Sequence, residues 1–174
     1  MKKSCLFLML LVATSCFGQT DRKLSALLSF QVNRTTNDRT ISNNSAGIGF
    51  GLQTHLNTNT WIKPTLEINA DLFGGTKELR LTADGRPIDA KSEVVGIYVG
   101  PMFQLTKSLF LSTTVGKSIF NKKSHFGVRP SVVFYPSKSR KWAVKVAYTG
   151  IFQRDDISNE DFGYLSFALA LKLF

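Results

Sequence analysis

Residues 61–73 read WIKPTLEINADLF, and their alternation decides the fold. Ile62, Pro64, Leu66, Ile68, Ala70 and Leu72 fall on one phase of a period-two repeat. Lys63, Thr65, Glu67, Asn69 and Asp71 fall on the other. Successive side chains of a strand point to opposite faces, so this segment is a strand with one apolar and one polar face. Strong apolar residues alternating with three charges do not fit a helix.

The same pattern extends outward in both directions. Upstream, Lys23 to Asn33 puts Leu24, Ala26, Leu28, Phe30 and Val32 against Lys23, Ser25, Ser29, Gln31 and Asn33, with Leu27 out of phase. From Ala46, the residues Ile48, Phe50 and Leu52 alternate with Gly47, Gly49 and Gly51, a face almost without side-chain volume. That face suits the inside of a narrow, sharply curved sheet. Downstream, Val94–Leu105, Leu109–Gly116, His125–Tyr135, Lys141–Gln153 and Phe162–Phe174 repeat the alternation, giving eight segments in all. The connections after segments two, four and six are short: Asn57–Thr60, Thr106–Ser108 and Pro136–Arg140. Those after one, three, five and seven are longer: Arg34–Asn44, Gly74–Glu93, Lys117–Ser124 and Arg154–Asp161. Short turns at one end and long loops at the other are the habit of bacterial outer-membrane barrels.

Alternation does not by itself name the solvent, because a soluble barrel with an apolar interior alternates too. Content decides it. The apolar phase is nearly free of charge, while the other carries Lys63, Glu67, Asp71, Arg129, Lys145 and Lys172 among Gly, Ala and Ser. An eight-stranded barrel is just wide enough inside for side chains to fill. The small-residue face fits that space; Phe30, Phe50, Phe103, Phe134, Trp142, Tyr148, Phe152 and Phe167 together do not. The expected fold is therefore all-β, an eight-stranded antiparallel up-and-down transmembrane β-barrel, monomeric, with lipid outside. Aromatics near strand ends suggest two interfacial belts. Trp61, Phe103, Phe134, Tyr135, Trp142 and Phe174 sit by the short turns; Phe30, Phe73, Phe152 and Phe162 sit by the long loops.

The N-terminus supplies an address. Lys2 and Lys3 precede an apolar run from Leu6 to Ala13 and then Thr14-Ser15-Cys16-Phe17-Gly18-Gln19, the layout of a secretory signal peptide. The run is short of the ~20 residues a spanning helix takes. Cleavage after Gly18 would leave residues 1–18 as leader and 19–174 as the barrel domain. Lipidation at Cys16 is the rival processing, although Ala13 stands where a lipoprotein box usually has leucine. Cys5 and Cys16, the two cysteines of the 174 residues, both lie in the leader, so the barrel is expected to hold no disulfide. The net charge of +10 is scattered rather than gathered on one stripe with aromatics, which speaks against a nucleic-acid partner.

The leader, the alternating segments and the terminal Phe174 together resemble the small outer-membrane barrels typified by the OmpA transmembrane domain, OmpX and OmpW. Gly100-Pro101 and Arg129-Pro130-Ser131 are similar to fragments of small barrel domains common in Bacteroidetes. The resemblance covers the whole mature chain and is architectural. It implies a cell outer-membrane location, contact with outer-membrane lipids and lipopolysaccharide, and recognition of the C-terminal strand by the barrel-assembly machinery. In this chain the apolar set of Leu165–Phe174 follows the phase of Leu173, not of Phe174, a departure from that family's C-terminal signal.

Charges inside a lumen must be paired or hydrated. Glu67 and Asp71 are expected to anchor a polar network with Arg129, Lys145 and Lys63, and Glu67→Ala to lower the unfolding temperature. Arg80, Arg86, Lys122 and Lys123 in the long loops are candidate contacts for lipopolysaccharide phosphates. No catalytic, metal or cofactor-binding residue is expected. Outer-membrane lipid A deacylases place a Ser two residues after a His on one strand; here His125 is followed by Phe126 and Gly127. His55 has no second histidine near it, and Asp155-Asp156 with Glu160-Asp161 reads as a solvated loop rather than a cation site. The expected role is structural or loop-mediated binding. The alternative is a narrow channel for small solutes; a lipid-modifying enzyme comes third.

Overall fold

The computed structural model describes residues 24–36, 45–74, 92–120, 123–152 and 161–174. The expected leader, residues 1–18 with Cys16, and Arg80, Arg86 and Lys122 lie outside the described residues. Eight strands follow in chain order: β1 (Leu24–Thr35), β2 (Ala46–Leu56), β3 (Ile62–Phe73), β4 (Ser92–Gln104), β5 (Leu109–Phe120), β6 (Lys123–Phe134), β7 (Trp142–Phe152) and β8 (Phe162–Lys172). Each pairs antiparallel with its neighbour in sequence, and β1 pairs with β8 from Leu27↔Lys172 to Thr35↔Tyr164, so the sheet closes into a barrel. Closure satisfies the backbone of every strand without an open edge, the condition for spanning hydrocarbon.

The two faces fall as the alternation requires. The bulky apolar phase points outward on every strand, with Phe50 59% and Trp61 62% exposed. The polar and small phase points inward, where Gln31, Glu67, Asn69 and Arg129 are buried. Leu27, out of phase in the sequence, is inward and packs against Met102, Phe110, Val133 and Tyr135 at the short-turn end. The glycines of β2 clear space for larger neighbours. A Cβ at Gly47 would stand 2.7 Å from the ring of Phe73, and one at Gly49 would overlap the Asp71 carboxylate.

Two expectations need correction. The β5–β6 connection is not long. Pairing continues to Phe120↔Lys123, which leaves only residues 121–122 between the strands. The polar look of Lys117–Ser124 conceals a continuing alternation, with Ile119 outward and Phe120 inward. The aromatic belts also lose members. Tyr135 at the short-turn end, and Phe73 and Phe162 at the long-loop end, are buried inside the barrel. Trp61, Phe134 and Trp142 do face outward, and Trp61 packs on Phe103 at 5.4 Å.

Prolines mark breaks in the ladder. Pro64 of β3 lies directly opposite Pro101 of β4. The β4–β5 pairing skips from Val99↔Val115 to Met102↔Ser112, and the β6–β7 pairing skips from Val128↔Gly150 to Ser131↔Ala147, around Pro101 and Pro130. Proline brings no N–H to a ladder, so these rungs are lost.

Candidate functional site

The lumen is layered. Near the short turns, Leu27, Met102, Phe110, Val133, Tyr135, Ala143 and Ala170 form an apolar plug. Near the long loops, Phe73, Val94, Phe120, Ile151, Phe162 and Tyr164 form a second. Their rings pack at ordinary aromatic spacings: Phe110–Tyr135 at 5.5 Å, Phe73–Tyr164 at 5.2 Å and Phe120–Phe162 at 5.0 Å. Between the plugs lies the polar layer.

The polar layer centres on Glu67. Its Oε1 takes Arg129 Nε at 2.6 Å and Lys145 Nζ at 2.7 Å, with all three residues almost wholly buried. Lys145 also donates to Gln53 Oε1 at 3.0 Å. Arg129 donates through Nη2 to Gln31 Oε1 at 3.0 Å and through Nη1 to Thr149. Asp71 is held differently. Gln31 Nε2 and Asn33 Nδ2 each donate to its Oδ1 at 2.6 Å, the Tyr164 hydroxyl donates to Oδ2 at 2.7 Å, and Asn69 donates to the same oxygen. Gln31 joins the two halves, because its carbonyl accepts from Arg129 while its amide donates to Asp71.

The layer thus draws side chains from β1, β2, β3, β6, β7 and β8 across the barrel, and its two carboxylates balance its two cations. Buried charge is tolerable only when paired and hydrogen-bonded in this way. The structure brings together four of the five expected residues: Glu67, Asp71, Arg129 and Lys145. Lys63 stands apart, at the short-turn mouth, where Nζ donates to the Thr58 carbonyl at 3.1 Å. Sequence reasoning misses Gln31, Asn33, Gln53, Asn69, Thr149 and Tyr164 as members. Their inward phase is legible; their common height is not.

The chemistry available is limited by these partnerships. Register sets Ser118 of β5, rather than Ser124, across from His125 of β6. The Ser118 hydroxyl is buried and shares a hydrogen bond of 2.5 Å with Tyr98. A side chain at Gly127 would press on Ser118 and the Tyr98 ring, so no nucleophile fits two residues after His125. Among the described residues, no three His, Cys, Asp or Glu side chains gather to hold a metal. Lys123, one of the expected phosphate contacts, is exposed at the start of β6.

No family model and no curated protein matches the chain. Solved structures do. The Yersinia pestis outer membrane protein Ail in a phospholipid bilayer nanodisc is 13% identical with a TM-score of 0.58, covering 86% of this chain and 99% of that one. Crystalline Ail in complex with the heparin analogue sucrose octasulfate gives 13% identity and a TM-score of 0.56, over 86% and 97% of the two chains. Neisserial surface protein A gives 10% identity and a TM-score of 0.50, over 87% and 97%. At these identities the likeness is one of architecture: the chain has the fold of the small eight-stranded outer-membrane β-barrels.

Proposed function

We propose that the protein is an integral outer-membrane β-barrel whose role is structural or loop-mediated binding, and that it neither conducts solutes nor catalyses a reaction. The observation that carries this reading is the sealed lumen. An ion-paired layer with Arg129 fully buried lies between two apolar plugs whose Phe73, Phe120 and Phe162 are also fully buried. A conduit needs a hydrated path, and these layers supply none. The outward apolar band, bounded at its short-turn end by Trp61 and Trp142, supports lipid as its surroundings.

In this reading the chain is exported by its leader, sits as a monomer with both ends and the short turns in the periplasm, and is inserted by the barrel-assembly machinery through β8. Its long loops reach the outer surface, where Arg80 and Arg86, together with Lys122 and Lys123 at the short β5–β6 link, meet lipopolysaccharide phosphates. The Ail complex with a sulfated ligand is a precedent for polyanion binding on this fold.

Planar-bilayer recording tests the closed lumen: we expect no steady openings, and a stable unitary conductance would overturn the proposal in favour of the channel reading. Outer-membrane fractionation with heat-modifiable gel mobility tests location and barrel together. Lipid A mass spectra with and without the protein should be identical; a changed acylation pattern would restore the enzymatic reading.

A further inference from the structure

The outward face of β2 to β4 is not evenly filled near the short turns. Pro64 of β3 and Pro101 of β4 stand opposite each other, and both are exposed on that face. A proline ring stands lower than the leucine, isoleucine and valine side chains around it. Leu56, Ile62, Leu66 and Val99 therefore form the walls, and the two prolines the floor, of an apolar groove of about 580 Å³. That volume lies within the ~300–1,000 Å³ of small-molecule sites. Next to Ile62, Trp61 packs on Phe103 at 5.4 Å, and tryptophan favours the membrane–water interface.

Past this ring pair the lining changes character. A second hollow of about 400 Å³ lies between the β2–β3 and β4–β5 turns, lined by Thr58, Asn59, Thr60, Gln104 and Lys107 together with Trp61. The two hollows meet where the rung Ile62↔Phe103 gives way to the Gln104 amide, which donates to the Trp61 carbonyl at 2.8 Å. Lys107 is exposed in its turn, and none of the described residues lining this hollow is acidic. A molecule apolar at one end and anionic at the other matches the pair. Its hydrocarbon lies over the prolines, and its phosphate meets the Lys107 ammonium. The groove is also continuous with the lipid-facing band. The chain offers no better occupant: Gln19-Thr20-Asp21-Arg22-Lys23, which precede β1, carry three charges, which are costly to bury in an apolar groove. A two-fold pairing through this face would repeat Lys107 on both sides of the interface.

We propose that groove and hollow together bind one anionic glycerophospholipid, with an acyl chain over Pro64 and Pro101 and the phosphate held at Lys107. Shape and charge act at one place, which sets this lipid apart from those that only surround the barrel. The site is independent of the sealed lumen and of the loop-mediated role.

The test is native mass spectrometry of the full chain, folded in neutral detergent and titrated with phosphatidylglycerol or phosphatidylcholine of equal chain length. A single lipid is expected to bind ahead of all others, phosphatidylglycerol about fivefold tighter than phosphatidylcholine, the worth of one cation at a lipid surface. Lys107→Gln should erase that preference and leave phosphatidylcholine binding unchanged. Pro101→Phe, which fills the groove, should abolish the distinct first site for both lipids. Lys141→Gln, exposed beside Trp142 at the start of β7, should change neither. Heat-modifiable mobility verifies that each variant is folded, and Lys107→Gln, in a turn, keeps the test open if Pro101→Phe is not. Lipids adding in a statistical series without a distinct first site, equal affinity for the two lipids, or an equal effect of Lys141→Gln would overturn the proposal. So would a dimer mass in place of the lipid complex, which would assign the face to a second copy of the chain.

Discussion

The centre of the lumen and its short-turn mouth both hold buried cations, yet they treat charge in opposite ways. At the centre, Arg129 and Lys145 share one oxygen of Glu67, and Asp71 is saturated by amide and phenol donors. At the mouth, Lys63 is buried too, but among the described partners its Nζ meets only a neutral group, the Thr58 carbonyl. The difference separates ion pairing from a single neutral hydrogen bond. The centre completes its pairing within the chain and so holds the fold; at the mouth Lys63 leans on one backbone carbonyl.

Substitutions sharpen or break that contrast. Glu67→Gln should have the largest effect, because it strands two buried cations together. Removing one partner of a buried pair costs about 3–5 kcal/mol, and the upper end is expected here. Urea unfolding in lipid vesicles reads it, and a loss below about 1 kcal/mol would show that the central layer does not hold the barrel. Next comes the apolar packing: Phe162→Ala empties the middle of the long-loop plug and should cost ~3–4 kcal/mol by the same measurement. Conductance should stay absent, because the short-turn plug remains in place.

Asp71→Asn keeps the shape of the side chain and loses its charge. Its donors then face one amide in place of a carboxylate, for an expected loss of about 1–3 kcal/mol. Lys63→Gln should be the smallest. It removes one hydrogen bond to a backbone carbonyl and breaks no ion pair among the described residues, so stability should move by no more than about 0.5 kcal/mol in either direction. If Lys63→Gln destabilised the barrel as much as Glu67→Gln, the mouth would belong to the same ion-paired unit and the contrast would fail.

Phase is legible in the sequence, and height is not. The alternation in residues 61–73 is enough to place Glu67 and Asp71 inside, and the same periodicity does so for Arg129 and Lys145. Nearness to a strand end suggests the interfacial belts for Tyr135, Phe73 and Phe162, but their phase sets them on the inner face, and phase prevails. Phase alone also groups Lys63 with Glu67. Four residues along a strand amount to about 13 Å; Gln31 spans that height between Asp71 and Glu67's partner Arg129, whereas Lys63 turns to the Thr58 carbonyl. Membership of Gln31 or Thr149 needs the register of strands far apart in sequence, such as Gln31↔Ala168 and Lys145↔Ala168, which periodicity within one strand does not carry. At the β5–β6 connection, polar composition points to a loop while the alternation running beneath it continues the strands.

The two-residue link between Phe120 and Lys123 bears on how the chain reaches its shape. Loop-closure entropy rises with the logarithm of the chain length enclosed. The β5–β6 hairpin therefore carries the least entropic penalty of any pairing here, whereas the β1–β8 seam must join Leu27 to Lys172 across nearly the whole domain. Zippering that starts at the hairpin and spreads sideways meets the seam last, so the strands that seal the cylinder are those whose union depends most on their neighbours already being in place.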